Sequence, residues 1–426
     1  MLESDCITHK LRFCARGILA LIKKILIFGG TFICKGTLNS LNNLNSYRMS
    51  MTYRCWAEID LAALQRNLKQ IRAALPSSIK IVAVVKANAY GHGIAPIVAR
   101  LMRSGIHAFA VANLREAAEI EEIGSGWPIL LLSPLLPEED EELVEARVTP
   151  TLSSSQEVER FDLIGQKWGR RIPVHLKIDT GMGRLGVWYE EAAALYHKVL
   201  AHKHLELKGI CSHFASADSD PDFTQLQRQR FIDTLGGLPE LDVSNCLIHT
   251  DNSASLATFL PASPVNAVRI GLLQFGVQRT SGGLLNEVSA EPLFHFLTRI
   301  GLIKTIPAGT GISYGRTHIT QRRTRIGVLT AGYGDGIPTT LSNKGVALVR
   351  GCRCPFLGKV TMDQTLIDLT EVPEVEVGDT ATLIGRQGNE EITVNEFSHP
   401  AQHIPWETFC AITQRVPRLY RNDSLL

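Results

Sequence analysis

Residues 79–93 read IKIVAVVKANAYGHG, an apolar β-branched run that ends before Lys86 and is followed by a turn with glycines at positions 91 and 93. A short run of this composition predicts a buried strand. Similar runs recur through residue 270, separated by helix-compatible segments such as residues 114–123 and 225–234. The eight runs occupy residues 79–85, 107–112, 129–133, 148–152, 173–178, 207–212, 246–250 and 267–270.

Eight strand-plus-helix units predict an α/β fold, a (β/α)8 TIM-type barrel within residues 51–290. The alternative is a doubly wound open sheet, which usually binds phosphate through an early G-x-G-x-x-G loop; no such loop follows the first run. The carboxyl ends of barrel strands share one face, so polar residues there should converge on one site. These residues are Lys86, Asn88, Lys177, Asp179, Arg184, His213, Asn252, Ser253 and Arg269.

The pattern changes after about residue 290. Strand-like runs now alternate with glycine- and proline-containing turns, at residues 324–331, 345–350, 355–360, 366–369 and 381–384. This pattern predicts a mostly β C-terminal domain over residues 291–426. The run at residues 56–59 precedes the barrel, and residues 51–60 are expected to pair with the β domain as an extra strand.

The first fifty residues are set apart from the fold. They hold seven basic and two acidic residues, and Lys23 and Lys24 interrupt the apolar core that a secretory signal would need. Two interpretations are open: a basic, amphipathic N-terminal extension, or upstream sequence that precedes a start at Met49 or Met51. We favour the second, in which residues 1–50 are not native or are disordered.

Composition narrows the class of protein. Apolar residues make up 45% and charged residues 20% of 426 residues, which is typical of a globular chain. The net charge of +2 gives no reason to expect a nucleic-acid partner, and no apolar run has the roughly 20 residues that span a bilayer. The nine cysteines form neither a disulfide framework nor a strong zinc motif. We therefore expect a cytoplasmic protein without a metal site.

Lys86 is the residue whose position in the sequence points most clearly to a chemical role. A lysine that ends a buried strand loses hydration, which lowers its pKa and favours the neutral amine. Such an amine is suited to Schiff-base formation with an aldehyde. On these residues alone, a surface lysine at a strand end is an equally good interpretation.

Nine motifs, taken together and in order, carry a resemblance to a known family. The chain from about residue 53 to 420 resembles the alanine racemases, which implies a barrel with a C-terminal β domain, pyridoxal 5'-phosphate as cofactor, and interconversion of L- and D-alanine for peptidoglycan. The motifs are residues 83–93, 175–186 (HLKIDTGMGRLG), 212–218 (SHFASAD), 251–255, 268–272, 312–315 (ISYG), 331–338 (AGYGDGIP), 358–364 (GKVTMDQ) and 415–420.

The resemblance implies two catalytic bases on opposite faces of a planar intermediate. Lys86 would bind the cofactor as a Schiff base and serve the D-enantiomer, and Tyr314 would serve the L-enantiomer. A phenol has a pKa near 10 and needs tuning to act as a base. By the resemblance His213 and Arg269 supply that tuning, and Arg269 also faces the cofactor ring nitrogen. From the residues alone, Tyr314 is interpreted as a turn tyrosine. The alternative for Arg269, a strand-end arginine paired with a surface acid, fits this context less well.

Further roles come from the same resemblance. Arg184 would hold the substrate carboxylate or the cofactor's phenolic oxygen, and Lys177 matches a lysine that is often carbamylated; a salt bridge with Asp179 is the simpler alternative for Lys177. The remaining residues expected to bind the cofactor are Tyr90, Asn252, Ser253, Gly271, Leu272 and Trp406. Trp406 departs from the family, which usually has a tyrosine there that reaches the phosphate.

Family members are head-to-tail homodimers that share their active sites. The resemblance therefore places Tyr314 and Met362 opposite the Lys86 of the other subunit, with Tyr333 at the entrance. A racemase of broader specificity or a decarboxylase of the same architecture are the rival enzymes, although Arg184 and Arg269 suit retention of the carboxylate. A non-enzymatic cofactor carrier built on the barrel alone would lack residues 291–426.

Overall fold

A computed structural model describes residues 52–238, 241–260 and 264–422. The expected N-terminal extension, residues 1–50, lies outside this range. No helix in the described ranges is both long and apolar enough to cross a bilayer.

A closed parallel barrel follows one strand and one helix. These are β1 (Cys55–Asp60) and α1 (Leu61–Ala74), and the Asp60 carboxylate begins α1 by accepting the Ala62 and Ala63 N–H groups. The eight barrel strands are β2 (Lys80–Val84), β3 (Ala108–Val111), β4 (Ile129–Leu131), β5 (Thr149–Leu152), β6 (Ile172–Asp179), β8 (Leu205–Cys211), β9 (Leu247–His249) and β10 (Ala267–Ile270). The short strand β7 (Val187–Trp188) pairs with β6 outside the barrel.

Pairing runs through the eight strands in chain order, and β10 returns to β2 with Ala267 opposite Lys80. Because β5 also pairs with β6, the sheet has no free edge, and the prediction of a TIM-type barrel is confirmed. The open-sheet alternative is excluded. The helices that accompany the strands are α2 (Ile94–Leu101), α3 (Leu114–Ile123), α4 (Asp140–Glu145), α5 (Ser155–Trp168), α6 (Ala192–Ala201) and α7 (Pro221–Gly236).

Two chemically different halves make up the barrel interior. On the side of β2, β3 and β4 the buried side chains are small and apolar, including Val82, Ala108 and Ala110. On the side of β6, β9 and β10 the strand positions that alternate with core residues carry His175, Lys177, His249 and Arg269. A large apolar core, formed where the outward side chains of the strands meet the helices, supports both halves.

The mostly β C-terminal region is built around one long strand, β11 (Phe294–Ile306). β1 pairs antiparallel with β11 and parallel with the last strand, so the polypeptide enters and leaves the described fold through the same sheet. The remaining elements are β12 (Gly311–Ile312), β13 (His318–Ile319), β14 (Thr324–Leu329), β15 (Val346–Val349), β16 (Cys352–Pro355), β17 (Thr365–Asp368), β18 (Thr380–Gln387), β19 (Glu390–Ile392), α8 (Val394–Ser398), α9 (Pro405–Ala411) and β20 (Arg418–Arg421).

One predicted strand in this region is wrong. The run at residues 355–360 is not a strand, since β16 ends at Pro355 and beyond it only Phe356 forms an isolated bridge, with Ile367. Pro355 has no N–H to donate, and Gly358 adopts a φ of +74°, so the backbone turns away from the sheet.

The segment after β2 is a turn of left-handed helix. Four consecutive non-glycine residues, Ala87 to Tyr90, have φ between 52° and 55°, and Gly91 and Gly93 follow at 78° and 95°. A left-handed conformation costs about 1–2 kcal/mol for each non-glycine residue. The surrounding structure must supply contacts that offset this strain.

Those contacts come from the far end of the chain. The Tyr420 hydroxyl donates to the His92 carbonyl at 3.0 Å, and the Arg418 guanidinium donates to the Gly91 carbonyl at 3.2 Å. A Cβ atom at Gly93 would overlap the Tyr420 hydroxyl. The C-terminal strand therefore holds the turn that begins with Lys86.

Replacing Gly93 by alanine should destabilise the protein more than an ordinary glycine replacement at positive φ. Gly105 is the reference without a close contact, because its φ is also positive, at +72°, and a methyl group there would meet no atom within 4 Å. We expect Gly105→Ala to cost about 1 kcal/mol and Gly93→Ala about 2–4 kcal/mol, measured by urea unfolding. The double variant Gly93→Ala/Tyr420→Phe should recover part of that loss. Equal losses at positions 93 and 105 would contradict the clamp, by which we mean the contacts of Arg418 and Tyr420 that hold the turn.

Candidate active site

A cavity of about 660 Å³ opens at the carboxyl ends of the barrel strands. Its walls carry five cationic side chains and one acidic side chain, Asp218, so the cavity favours an anionic ligand. Eleven of the residues predicted from sequence line it: Lys86, Tyr90, Lys177, Arg184, His213, Asn252, Ser253, Arg269, Gly271, Leu272 and Trp406.

Lys86 stands where β2 passes into the left-handed turn. Burial lowers the pKa of its ammonium, and the nearby positive charge of Arg184 lowers it further. The Glu116 carboxylate accepts the Ala87 N–H at 2.7 Å and the Ala112 N–H at 2.8 Å, which ties the start of the turn to the neighbouring β3–α3 loop. The turn therefore presents a lysine that loses its proton more easily than an exposed one.

Arg269 is the most fully bonded cation of the site. It is buried at the end of β10 and donates to the Ser212, His249 and Thr250 carbonyls at 2.9–3.0 Å. It also donates to the Nδ1 atom of His213 at 2.9 Å. A guanidinium cannot accept a hydrogen bond, so this Nδ1 carries no proton and the proton of neutral His213 is on Nε2.

Burial and the positive charge of Arg269 lower the pKa of His213 well below its ordinary value. The imidazole is therefore neutral at physiological pH, and its Nε2–H group is left as a donor at the cavity wall. This side chain can stabilise an oxyanion that approaches from the cavity.

Lys177 lies deeper in the same half of the barrel. Burial lowers its pKa to about 8. The salt bridge with Asp179 is not the arrangement observed, because the Asp179 carboxylate accepts the N–H groups of residues 181, 182 and 183 at 2.8–2.9 Å. That carboxylate instead shapes the turn from which Arg184 enters the cavity.

Backbone and hydroxyl donors gather at one end of the cavity. The Ser253 hydroxyl lies 3.1 Å from the Gly271 nitrogen and 3.2 Å from the Leu273 nitrogen, which joins the loops after β9 and β10. A Cβ atom at Gly271 would come within 2.8 Å of the Tyr90 hydroxyl, so only glycine permits this approach. Burial raises the pKa of Tyr90 to about 12, and the phenol stays protonated as a donor. This donor set suits a phosphate group.

Trp406 closes the cavity from the side of α9. The Arg279 guanidinium lies over its indole ring, 5.1 Å from the centroid, and forms an ion pair with Asp218 at 3.2 Å. Neither Asp218 nor Arg279 is predicted from the sequence, although Asp218 lies within a matched motif. Nothing in the composition of residues 276–283 marks Arg279 as part of a cavity.

Two predicted strand-end residues do not line the cavity. Asn88 accepts the Ile94 N–H at 2.7 Å at the start of α2, and Asp179 holds the turn described above.

Three predicted residues of the β region also lie elsewhere. Tyr314, Met362 and Tyr333 are 72%, 52% and 44% exposed, on loops of the β region, and in the described part of the chain none of them lines the cavity. Hydrogen bonds hold their loops together: the Tyr333 and Gly334 N–H groups donate to the carbonyls of residues 361 and 362 at 2.9 Å. A single chain therefore places the two expected bases apart.

Comparison with known proteins agrees with this architecture. The family model described as alanine racemase, N-terminal domain, matches residues 59–279, and the model for the alanine racemase C-terminal domain matches residues 293–420. An alanine racemase of Halothermothrix orenii is 40% identical over 87% of this chain and 98% of its own length. One of Nostoc is 36% identical over 86% and 95%.

Solved structures give the same result. The alanine racemase of E. faecalis superposes with a TM-score of 0.80 at 33% identity, over 87% of this chain and 99% of that chain. The alanine racemase of Bacillus anthracis, solved with bound L-Ala-P, gives a TM-score of 0.78 at 34% identity, over 87% and 95%. The predicted resemblance and the predicted enzyme class, an isomerase, are confirmed, and the chain belongs to the alanine racemase family.

Proposed function

We propose that this protein interconverts L-alanine and D-alanine with pyridoxal 5'-phosphate bound at Lys86, in a homodimer whose two chains share each active site. The observation that carries the proposal is the convergence of a desolvated lysine, a buried arginine and a phosphate-type donor set in one cationic cavity. Membership of the alanine racemase family supports the reaction.

The cavity fits this cofactor on its own chemistry. Lys86 would hold the aldehyde carbon, and the Ser253 hydroxyl, the backbone of residues 271 and 272 and the Tyr90 phenol would hold the phosphate. Trp406 adds an indole N–H, which donates but cannot accept. When bound, pyridoxal phosphate supplies an electron-accepting ring that delocalises the charge left by a departing α-proton.

Arg269 would control how strongly that ring withdraws electrons. Beside the ring nitrogen, the Arg269 guanidinium would disfavour protonation of that nitrogen, because it repels positive charge and has no acceptor atom. By disfavouring that protonation, Arg269 would limit electron withdrawal by the ring and so favour return of the proton over side reactions such as transamination. Arg184 can bind the substrate carboxylate through its planar fork, which favours racemisation over a reaction that removes the carboxylate.

Two proton-transfer groups are required on opposite faces of the substrate. Lys86 is one of them, and its lowered pKa supports a role as base for D-alanine. We assign Tyr314 of a second copy as the other, for L-alanine. Because Arg269 occupies the Nδ1 atom of His213, its Nε2–H can donate to that phenol oxygen and would stabilise negative charge there.

The second copy also explains the exposed side chains of the β region. Tyr314, Met362 and Tyr333 leave apolar and aromatic surface in water, and docking on another chain's cavity would bury it. Together with Trp406 they would narrow the cavity mouth and favour a substrate as small as alanine. We further propose a cytoplasmic role in supplying D-alanine for peptidoglycan; free thiols at the six described cysteines support a reducing compartment.

Replacing Tyr314 by phenylalanine should separate the two faces of the reaction. We expect the variant to lose exchange of the L-alanine α-proton in D2O by roughly 10²- to 10⁴-fold, because the base for that enantiomer is gone, whereas D-alanine still exchanges through Lys86. Proton NMR of each pure enantiomer measures the rates. Equal losses for both enantiomers would overturn the assignment of faces.

Mixing two inactive variants should test the shared site. In a mixed dimer of Lys86→Ala and Tyr314→Phe chains, one site carries both defects and the other carries neither. Random re-association after mild dissociation should therefore restore about a quarter of wild-type activity. Each variant mixed with itself is the control. No recovery, with mixed dimers verified by mass spectrometry, would mean that both bases come from one chain.

The lowered pKa of Lys177 should allow carbamylation, since only the free amine reacts with CO2. We expect a carbamate carbon resonance after incubation with ¹³C-bicarbonate, absent in Lys177→Met and retained in the exposed-site control Lys344→Met. A signal that survives Lys177→Met would contradict the assignment.

The same pKa predicts a pH-dependent stability. A lysine whose pKa falls on folding destabilises the folded state fully below about pH 8, and the penalty disappears as pH rises towards the ordinary value near 10.5. In CO2-free buffer, Lys177→Met should therefore unfold at a higher temperature than wild type at pH 7. The difference should shrink by pH 10, and a constant difference would be inconsistent with this pKa.

A further inference from the structure

Two buried histidines in the polar half of the barrel have no part in the chemistry proposed above. His249, at the end of β9, is fully buried, and His175, on β6, is nearly so. The His249 Nδ1 atom lies 2.7 Å from an Nη1 nitrogen of Arg269, and its Nε2 atom lies 2.9 Å from the Nδ1 of His175. The three side chains form one line through the barrel interior.

The direction of every hydrogen bond in this line is fixed by Arg269. Its guanidinium can only donate, so the His249 Nδ1 must accept and carries no proton. The proton of neutral His249 is then on Nε2, which donates to His175. His175 accepts at Nδ1 and carries its own proton on Nε2.

We propose that His249 and His175 are positioning residues, which hold Arg269 against the cofactor ring through a chain of fixed tautomers. That Arg269 faces a cofactor ring rests on the function proposed above. The tautomers follow from the hydrogen-bond geometry alone. His249 acts on Nη1 as His213 acts on Nη2, so the planar guanidinium is held from both sides by an imidazole Nδ1.

Neutral acceptors explain why this line is built from histidines. A carboxylate in place of His249 would pair with Arg269 and compensate the charge that should face the ring. Within the described residues, every acceptor that Arg269 contacts is a carbonyl or an imidazole. Asp251, the acid in the loop after β9, is itself paired with Arg228 at 2.9 Å.

Burial and nearby cations keep both imidazoles neutral. Burial lowers the pKa of His175 to about 3, with a further contribution from Arg269. The pKa of His249 is also lowered well below its ordinary value by burial, Arg269, His175 and Lys177. The hydrogen-bond directions are therefore the same throughout the pH range in which the protein is folded and active.

Histidine-selective ¹⁵N NMR of the apoenzyme tests the tautomers without any reference to activity. We expect both residues to show an unprotonated Nδ1 and a protonated, slowly exchanging Nε2, with assignments from the His249→Asn and His175→Gln variants. A protonated Nδ1 on His249 would overturn the proposal. If the tautomers hold while the wild type fails to racemise alanine, the proposed function fails and the hydrogen-bond line stands.

Substitution of His249 tests its effect on Arg269. His249→Leu removes the acceptor, and we expect roughly ten- to hundredfold weaker binding of pyridoxal phosphate to the apoenzyme and a similar loss of turnover in both directions. His249→Asn restores an acceptor oxygen near the Nδ1 position and should recover most of both losses. Unfolding midpoints identify a general loss of stability.

Two further readouts distinguish positioning from mere packing. The pH dependence of the bound-cofactor absorbance should change in His249→Leu and stay near wild type in His249→Asn, because only a displaced guanidinium alters the environment of the ring nitrogen. If His249→Leu fails to fold, His175→Leu provides the same test with a smaller expected effect. Leucine and asparagine variants that behave alike, with equal stability, would overturn the positioning role.

Discussion

The left-handed turn that begins at Lys86 is the constraint on which the site depends. Four residues with positive φ are unfavourable on their own, and the turn persists because distant parts of the chain hold it. Glu116 accepts N–H groups at its start, and Arg418 and Tyr420 donate to carbonyls at its end. The barrel supplies the strand and the C-terminal strand supplies the clamp, so neither region alone would fix the direction of the lysine.

The division of the barrel interior explains how the remaining site residues are held. Small apolar side chains on one side leave room at the carboxyl end, and the polar side concentrates buried hydrogen-bonding groups around Arg269. Buried polar groups are stabilising only when they are satisfied. Here Arg269 is satisfied by neutral partners, which keeps its positive charge available to a ligand while the barrel stays closed.

The sequence predicts the barrel well because strand composition and the order of motifs are local signals. It also predicts which polar residues meet, since the carboxyl ends of parallel strands share one face. It fails where the determinant is distant. The left-handed turn depends on Tyr420, more than 320 residues away, and the orientation of Arg269 depends on His249, which looks like an ordinary core histidine in sequence. Residues 355–360 have strand composition, yet a proline and a glycine at positive φ end the pairing. The roles of Tyr314, Tyr333 and Met362 stay predictions, because a single chain does not bring them to the cavity.

The contact between Arg418 and Gly91 joins residues separated by 327 positions. During synthesis at about 5–20 residues per second, the barrel strands can emerge and pair well before the clamp exists. The nascent barrel would then hold its lysine on an unsecured, strained segment until β20 leaves the ribosome and pairs with β1. Translation that stops shortly before residue 418 would leave nearly all of the fold's sequence in place and yet give a product without the strand that secures the turn after Lys86.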